Sequence, residues 1–363
     1  MSDDVFAALY DDLADLTALH GPSGAEQPVV ARLRDLFAPL VDRVSLDHMG
    51  NLTAWRDGPP DARHIVVSAH SDEIGAVVAA VEPDGFLRLG PLGGAQARLL
   101  EGRAVMVGDH PGVIGARSGH LLPREGVAAA ATFEDLYADL GVDSAAAVES
   151  MGVAIGDPVV VVSELRRLAG TRVAGKGIDN RASCVVLLHL LRRLHGRSAP
   201  CRLTALVAVQ EEVGLRGAHA AFTALRPDLA IVVDTAPAGG TPDTRGAAYP
   251  VRIGHGVLIQ PANGGFGGGF LQPRAARAAL VRAARQAGVP VQMAVGGGGV
   301  TDAAAAHLAA GGVATLQVQI PRRYSHSPVE TLDLRDLDAA LRLVEALVLR
   351  PPSGDDMAFL PPI

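Results

Sequence analysis

A chain of 363 residues is long enough for roughly two domains and a sizeable core. Its 48% hydrophobic and 20% charged content excludes a disordered protein. A net charge of −7 with no long basic run argues against nucleic acid as a partner, and no apolar stretch approaches the ~18 residues of a membrane span.

The amino terminus, MSDDVFAALYDDL, is acidic and amphipathic, unlike a signal peptide, so a cytoplasmic protein is expected. Residues 3–20 carry Phe6, Leu9, Leu13 and Leu16 on one helical face. HGPSGAE at 20–26 ends that helix. Ser23 and Glu26 have capping-box spacing for a second helix reaching Phe37. Short strands are expected at 41–46 and 51–55, around a turn with His48 and Gly50. The apolar run 64–69 ends in His70, Ser71, Asp72 and Glu73.

From 75 to 163 the texture changes to short β-like runs separated by turn signals, as in GAVVAAV, PDG and RAVMVGDHPGVIGAR. Helical pieces are expected at 131–140 and 144–151. An α/β pattern resumes afterwards, so 75–163 reads as a small β domain inserted into a larger one formed by 1–74 and 164–363. The fold class is α/β, a mixed sheet covered by helices with a small β-barrel-like insertion.

The resumed pattern runs as strand 171–174, GKGIDNRA, and a strongly apolar helix to Leu194. Apolar residues 203–209 then stop abruptly at two adjacent carboxylates, Glu211 and Glu212. Such a run reads as a buried strand covered on both faces. Helix 215–225 and strand 229–233 follow, the latter ending in Asp234. Helix 273–286, strand 291–295, a helix from Thr301, strand 313–320 and helix 334–349 complete the chain. PRRYSHSPVE follows the last strand. The glycine clusters 263–270 and 296–299 lack the strand-to-helix setting of a nucleotide cradle and read as flexible loops beside a pocket. Cys184 and Cys201 lie in apolar segments and read as buried free thiols.

His70, Asp179, Glu212, Asp234 and His326 recur just past an apolar run or at a helix start, where open α/β sheets place their ligand sites. Each has a plainer reading. Asp179 would serve as a helix N-cap, Asp234 as a turn residue, and the Glu211–Glu212 pair as a partner for Arg216. Together they offer two imidazoles and three carboxylates, a set suited to two divalent ions. One carboxylate would bridge the ions. Glu211, beside a ligand but not needed as one, is free to act as general base. Asp72 lies two residues beyond His70, on the same side of an extended chain. It could accept the second ring N–H of that histidine.

The motifs GPSGAE, AHSDEIG, PLGG, FEDLYADLG, GKGIDNRASC, QEEVGLRGA, VVDTAP, TDAAAAH and RYSHSPVE run nearly end to end. With them the chain resembles the glutamyl aminopeptidase-like metallopeptidases, the tetrahedral aminopeptidases formerly labelled cellulase M. The resemblance implies that His70 and Asp234 bind one zinc or cobalt ion and that Glu212 and His326 bind the other, with Asp179 bridging. Zn²⁺ is the first choice, with Co²⁺ or Mn²⁺ as alternatives. It also implies Glu211 as base, Asp72 as orienting acid, short peptides as substrates, and self-association into a tetrahedral dodecamer. Three departures stand out: Asn180 where many relatives carry Asp, GARSGHLL in place of a proline-rich stretch, and a rearranged VVDTAPAGGTP.

Competing functions can be separated by chemistry. A glycosidase needs carboxyls ~5–9.5 Å apart flanking one bond, a role that adjacent Glu211 and Glu212 do not suit. A dinuclear amidase or deacylase would use the same ions on an N-acyl group. A non-catalytic scaffold would be expected to lack a ligand or Glu211, and none is missing.

Overall fold

A computed structural model describes residues 3–117, 120–121, 131–246, 249–264, 268–296 and 299–360. Helices α1 (Asp3–Ala18) and α2 (Gln27–Phe37) precede strands β1 (Arg43–Leu46), β2 (Leu52–Arg56) and β3 (His64–His70). Then come β4 (Gly75–Val81), β5 (Leu87–Leu92), α3 (Ala97–Leu100), β6 (Ala104–Val107), β7 (His110–Ile114), β8 (Tyr137–Asp139), α4 (Ala145–Ser150) and β9 (Pro158–Val161). Next are β10 (Arg166–Arg167), β11 (Arg172–Gly175), α5 (Ile178–Leu194), β12 (Arg202–Ala208), α6 (Arg216–Leu225) and β13 (Leu229–Pro237). The chain ends with β14 (Val257–Ile259), α7 (Arg274–Gln286), β15 (Val291–Met293), α8 (Asp302–Ala306), β16 (Thr315–Arg322), β17 (Glu330–Asp333) and α9 (Leu334–Leu349).

The main sheet has eight strands in the order β1-β2-β12-β3-β13-β16-β14-β15. Its centre, β12-β3-β13-β16, is parallel, and both flanks include antiparallel pairs. Side-chain alternation splits the central strands between two cores. Ile65, Val67, Ala205, Val207, Ile231, Val233, Leu316 and Val318 pack with the helices α1, α2, α5, α7 and α9. Val66, Leu206, Ala208, Ala230 and Val232 face the smaller layer of α6 and α8. Truncating one of these fully buried leucines, such as Leu206→Ala, should cost about 2–5 kcal/mol.

Strands β4 to β9 close into a six-stranded barrel, in the order β4-β5-β8-β7-β6-β9, around its own apolar core. Closure leaves no edge for stray pairing. The barrel starts five residues after His70, so it sits beside the end of β3.

Some local expectations are corrected. The capping role expected of Ser23 is absent: α2 has Glu26 at its N-cap without a side-chain bond, and Ser23 donates to Asp72 instead. Residues 131–140 form a single 3₁₀ turn at Phe133–Asp135 and then β8, not a helix. Thr132 and Asp135 make the capping box there, and barrel pairing takes the rest of the segment. Cys184 and Cys201 are buried free thiols, as expected. The centre of the 263–270 glycine cluster, part of 296–299 and part of GARSGHLL lie outside the described residues.

Candidate metal centre

Register brings the site together. Ala208 is paired with His70, Ser68 with Val232, and Asp234 with Gln319. With a period of two, His70 and Asp234 therefore project from the carboxyl ends of β3 and β13 onto the α6/α8 face. Past β12 the chain turns sharply, with positive φ at Gln210 (56°) and Leu215 (58°). Such backbone costs of order 1–3 kcal/mol per residue and needs outside support. Asn51 supplies part of it by accepting Val209 N–H and donating to Gly217 O. A Cβ at Gly217 would stand 2.3 Å from Asn51 Oδ1, so only glycine allows this contact.

Asp72 holds the two glutamates. Its Oδ1 accepts Glu211 N–H at 3.0 Å, and its Oδ2 accepts Glu212 N–H at 3.1 Å and Ser23 O–H at 2.6 Å. Asp72 Oδ1 also lies 3.3 Å from His70 Nδ1. The side chains of the adjacent glutamates diverge. Glu211 Oε2 lies 3.8 Å from His70 Nε2, and Glu212 Oε1 lies 3.3 Å from His326 Nε2. Among the described residues Arg216 forms no ion pair with either glutamate.

Asp179 stands between the two imidazoles. Its Oδ1 is 3.4 Å from His70 Nε2 and its Oδ2 is 3.3 Å from His326 Nε2. Asp234 Oδ1 is 3.7 Å from His70 Nε2. The capping role open to Asp179 falls to Asn180, which accepts Ser183 N–H and donates to Val233 O. That leaves the Asp179 carboxylate directed into the site. His326 sits in a tight loop with φ 56°, and the barrel's β5–α3 connection presses on it. A Cβ at Gly94 would lie 2.4 Å from His326 Nδ1.

Two groups of donors result: His70, Glu211 and Asp234, and Asp179, Glu212 and His326, each with donor atoms within 4.8 Å of one another. The geometry thus sets Glu211, read from sequence as a base and not as a ligand, within the first group of possible donors. The donor set suits divalent ions. Glu212 Oε1 is buried without a hydrogen-bond partner. Among the described residues lining the adjoining cavity of about 750 Å³, Arg322 alone brings a permanent positive charge.

The electrostatics show the same excess of negative charge. Burial raises the pKa values of Glu211, Glu212 and Asp234, and neighbouring carboxylates raise them further. Burial lowers His326, but Asp179 and Glu212 outweigh it and push the imidazole up to about 10. His70 is likewise raised, because Glu211, Asp179, Asp234 and Asp72 overcome its burial. Burial also raises Asp179, but Arg322 and the two histidines hold it well below the usual carboxylate range. Protons therefore supply compensating charge that dications would replace on binding. Cys184, whose thiol donates to His70 O, is pushed up to about 12 by burial and is an inert wall.

Several contributors were not evident in the sequence: Ser23 and Asn51 as supports, Thr235 as a donor to Asp179 Oδ1, and the pair Arg322 and Glu330. Ser23, Thr235, Arg322 and Glu330 lie inside the GPSGAE, VVDTAP and PRRYSHSPVE motifs, but nothing in those stretches announced these contacts.

The family model for M42 glutamyl aminopeptidases matches residues 50–343. The chain belongs to that family. It is 32% identical to the glutamyl aminopeptidase of Lactococcus lactis over 349 residues, covering 94% of this chain and 96% of the relative. An aminopeptidase from the archaeon Desulfurococcus kamchatkensis superposes with a TM-score of 0.89 at 34% identity, covering 95% of this chain and 96% of that one. The TET1 peptidase of Pyrococcus horikoshii, described as assembling into a tetrahedron or a large octahedral shell, gives 0.84 at 30% identity, with 94% and 99% covered. This M42 protein is an aminopeptidase, a hydrolase of peptide bonds, and peptidases of its family are metal-dependent. No helix among its described residues is long and apolar enough to cross a membrane.

Proposed function

We propose that this aminopeptidase removes the amino-terminal residue from short peptides with a water activated by two divalent ions, Zn²⁺ before Co²⁺ or Mn²⁺. The observation that carries the proposal is Asp179, whose two oxygens face two different imidazoles at 3.4 and 3.3 Å. A carboxylate so placed would be the ligand that two neighbouring divalent ions share. His70 and Asp234 would hold one ion and Glu212 and His326 the other. When bound, such ions polarise a carbonyl and lower the pKa of water toward neutrality.

The protein's own residues then carry the protons. Glu211 takes the proton of the attacking water and returns it to the leaving amine. Its raised pKa, set by burial and nearby carboxylates, suits a group that must both accept and release a proton. Asp72 fixes the His70 ring and the backbone of both glutamates. Apart from the donor residues and Arg322, whose guanidinium is taken up by Asp179, Glu330 and Thr235, the described lining is uncharged, including Leu215, Pro237, Gln260, Val300, Thr301 and Gln319. Among the described residues no charge outside the donor set and the engaged Arg322 is there to pair with a charged side chain, so neutral amino-terminal residues are favoured over Glu or Lys.

The chain divides, on this proposal, into a catalytic part (1–74 and 164–363) and an inserted β domain (75–163) that supplies subunit contacts. Exposed Val113, Leu121 and Ile155 in that region support such a role, as does the shell-forming P. horikoshii relative. The assembly would be a cytoplasmic tetrahedral dodecamer.

A panel of aminoacyl-anilides, free and N-acetylated, tests the function on metal-stripped protein reloaded with each ion. Activity should vanish on stripping and return on loading. Free Leu-anilide should be cleaved faster than the Glu or Lys compounds. Cleavage of acetylated substrates as fast as free ones would replace this reading with the amidase or deacylase class.

A further inference from the structure

One buried carboxylate outside the donor set holds the backbone of two donor residues. Glu330 opens β17, whose pairing with β11 sets it opposite Gly175, four residues before Asp179. Its Oε2 accepts Asp179 N–H at 3.0 Å and its Oε1 accepts His326 N–H at 2.9 Å. Arg322, also buried, faces both. Its Nη1 approaches Glu330 Oε1 to 3.2 Å, its Nη2 donates to Asp179 Oδ2, and its Nε donates to Thr235 Oγ1 at 2.6 Å. Thr235 Oγ1 in turn donates to Asp179 Oδ1 at 3.0 Å.

This arrangement answers a specific difficulty. Asp179 and His326 are 147 positions apart in sequence, and the second ion needs both at once. His326 has left-handed backbone, with φ 56°, and Tyr324 in the same loop has φ 57°. A bridge between Arg323 and Thr331 closes the neck of that loop but leaves His326 unheld. Without Glu330, the loop would have to be ordered at the expense of ion binding.

We propose that Glu330, braced by Arg322, is the positioning residue of the Asp179–Glu212–His326 half of the centre. It ties the backbone of the shared ligand to that of the histidine opposite. This rests on the two-ion reading above. A general structural ion pair would, by contrast, affect both halves alike.

The test is a site-resolved Zn²⁺ titration of metal-stripped protein against a chromogenic chelator, with Asp234→Asn and His326→Ala identifying the two binding steps. Glu330→Gln keeps the volume but cannot accept both N–H groups. The step assigned to the His326 half should weaken about 10- to 100-fold, the usual effect of losing a group behind a metal ligand. The other step, which shares Asp179 but not His326, should weaken several-fold less. Should Glu330→Gln fail to fold, Glu330→Asp keeps the charge opposite Arg322 but is too short to reach both N–H groups, and the same shifts are expected. Two unchanged steps, or equal weakening of both, would overturn the assignment. A wild-type protein that binds fewer than two ions would remove the two-ion reading instead.

Discussion

Asp179 is the residue whose loss should be felt most widely. With one oxygen toward each imidazole, it belongs to both halves of the centre. Asp179→Asn should lower metal content at both sites, whereas Asp234→Asn and Glu212→Gln should each empty mainly one. Elemental analysis of the three variants checks this, and two retained ions in Asp179→Asn would refute the bridge. Asp179 was legible as a residue at a helix start, and His70, Glu211, Glu212, Asp234 and His326 as residues past an apolar run, a local pattern. Asp72 was legible for the same reason, lying two residues past His70. Ser23, Thr235 and Glu330 were not, since their roles arise from contacts between segments far apart in the chain.

The long elements were readable because their apolar periods are unbroken: β12 is buried along all but its first residue, and α1 and α9 fall where the pattern places them. The residues at 131–140 misled because a capping box opens only a single turn there, and pairing within the barrel draws Tyr137–Asp139 into a strand. Strands β14 and β17 are too short to announce themselves and exist through pairing. One contact between elements has a measurable pH signature. Asp12 on α1 accepts from His189 and Arg192 on α5. Burial raises its pKa, but these two hydrogen bonds and charges outweigh that and lower it to about 2. A carboxylate depressed on folding stabilises fully above its unfolded pKa, near 3.8, and that contribution fades as pH falls toward about 2. Because the pair is partly solvated, the contribution is about 1 kcal/mol. Asp12→Asn should lower thermal stability at pH 7 and converge with wild type near pH 2. A constant difference across that range would assign the effect to packing.

At the scale of the whole molecule, the closed barrel and the main sheet meet at the metal donors, where Gly94 and Glu212 both approach His326. The proposed assembly predicts that light scattering shows a particle far heavier than one chain. A monomer at working concentration would count against the assembly. The proposed chemistry rests on a division of labour between two neighbouring residues, in which Glu211 would move the proton and Glu212 would hold an ion. The most direct measurement is kcat together with metal content for Glu211→Gln and Glu212→Gln. Glu211→Gln should lose about 10²–10⁴ in kcat while keeping both ions, and Glu212→Gln should lose one ion. An ion lost from Glu211→Gln, with both ions kept and turnover lost in Glu212→Gln, would exchange the two roles, and near-normal turnover in both variants would contradict the dinuclear hydrolase account.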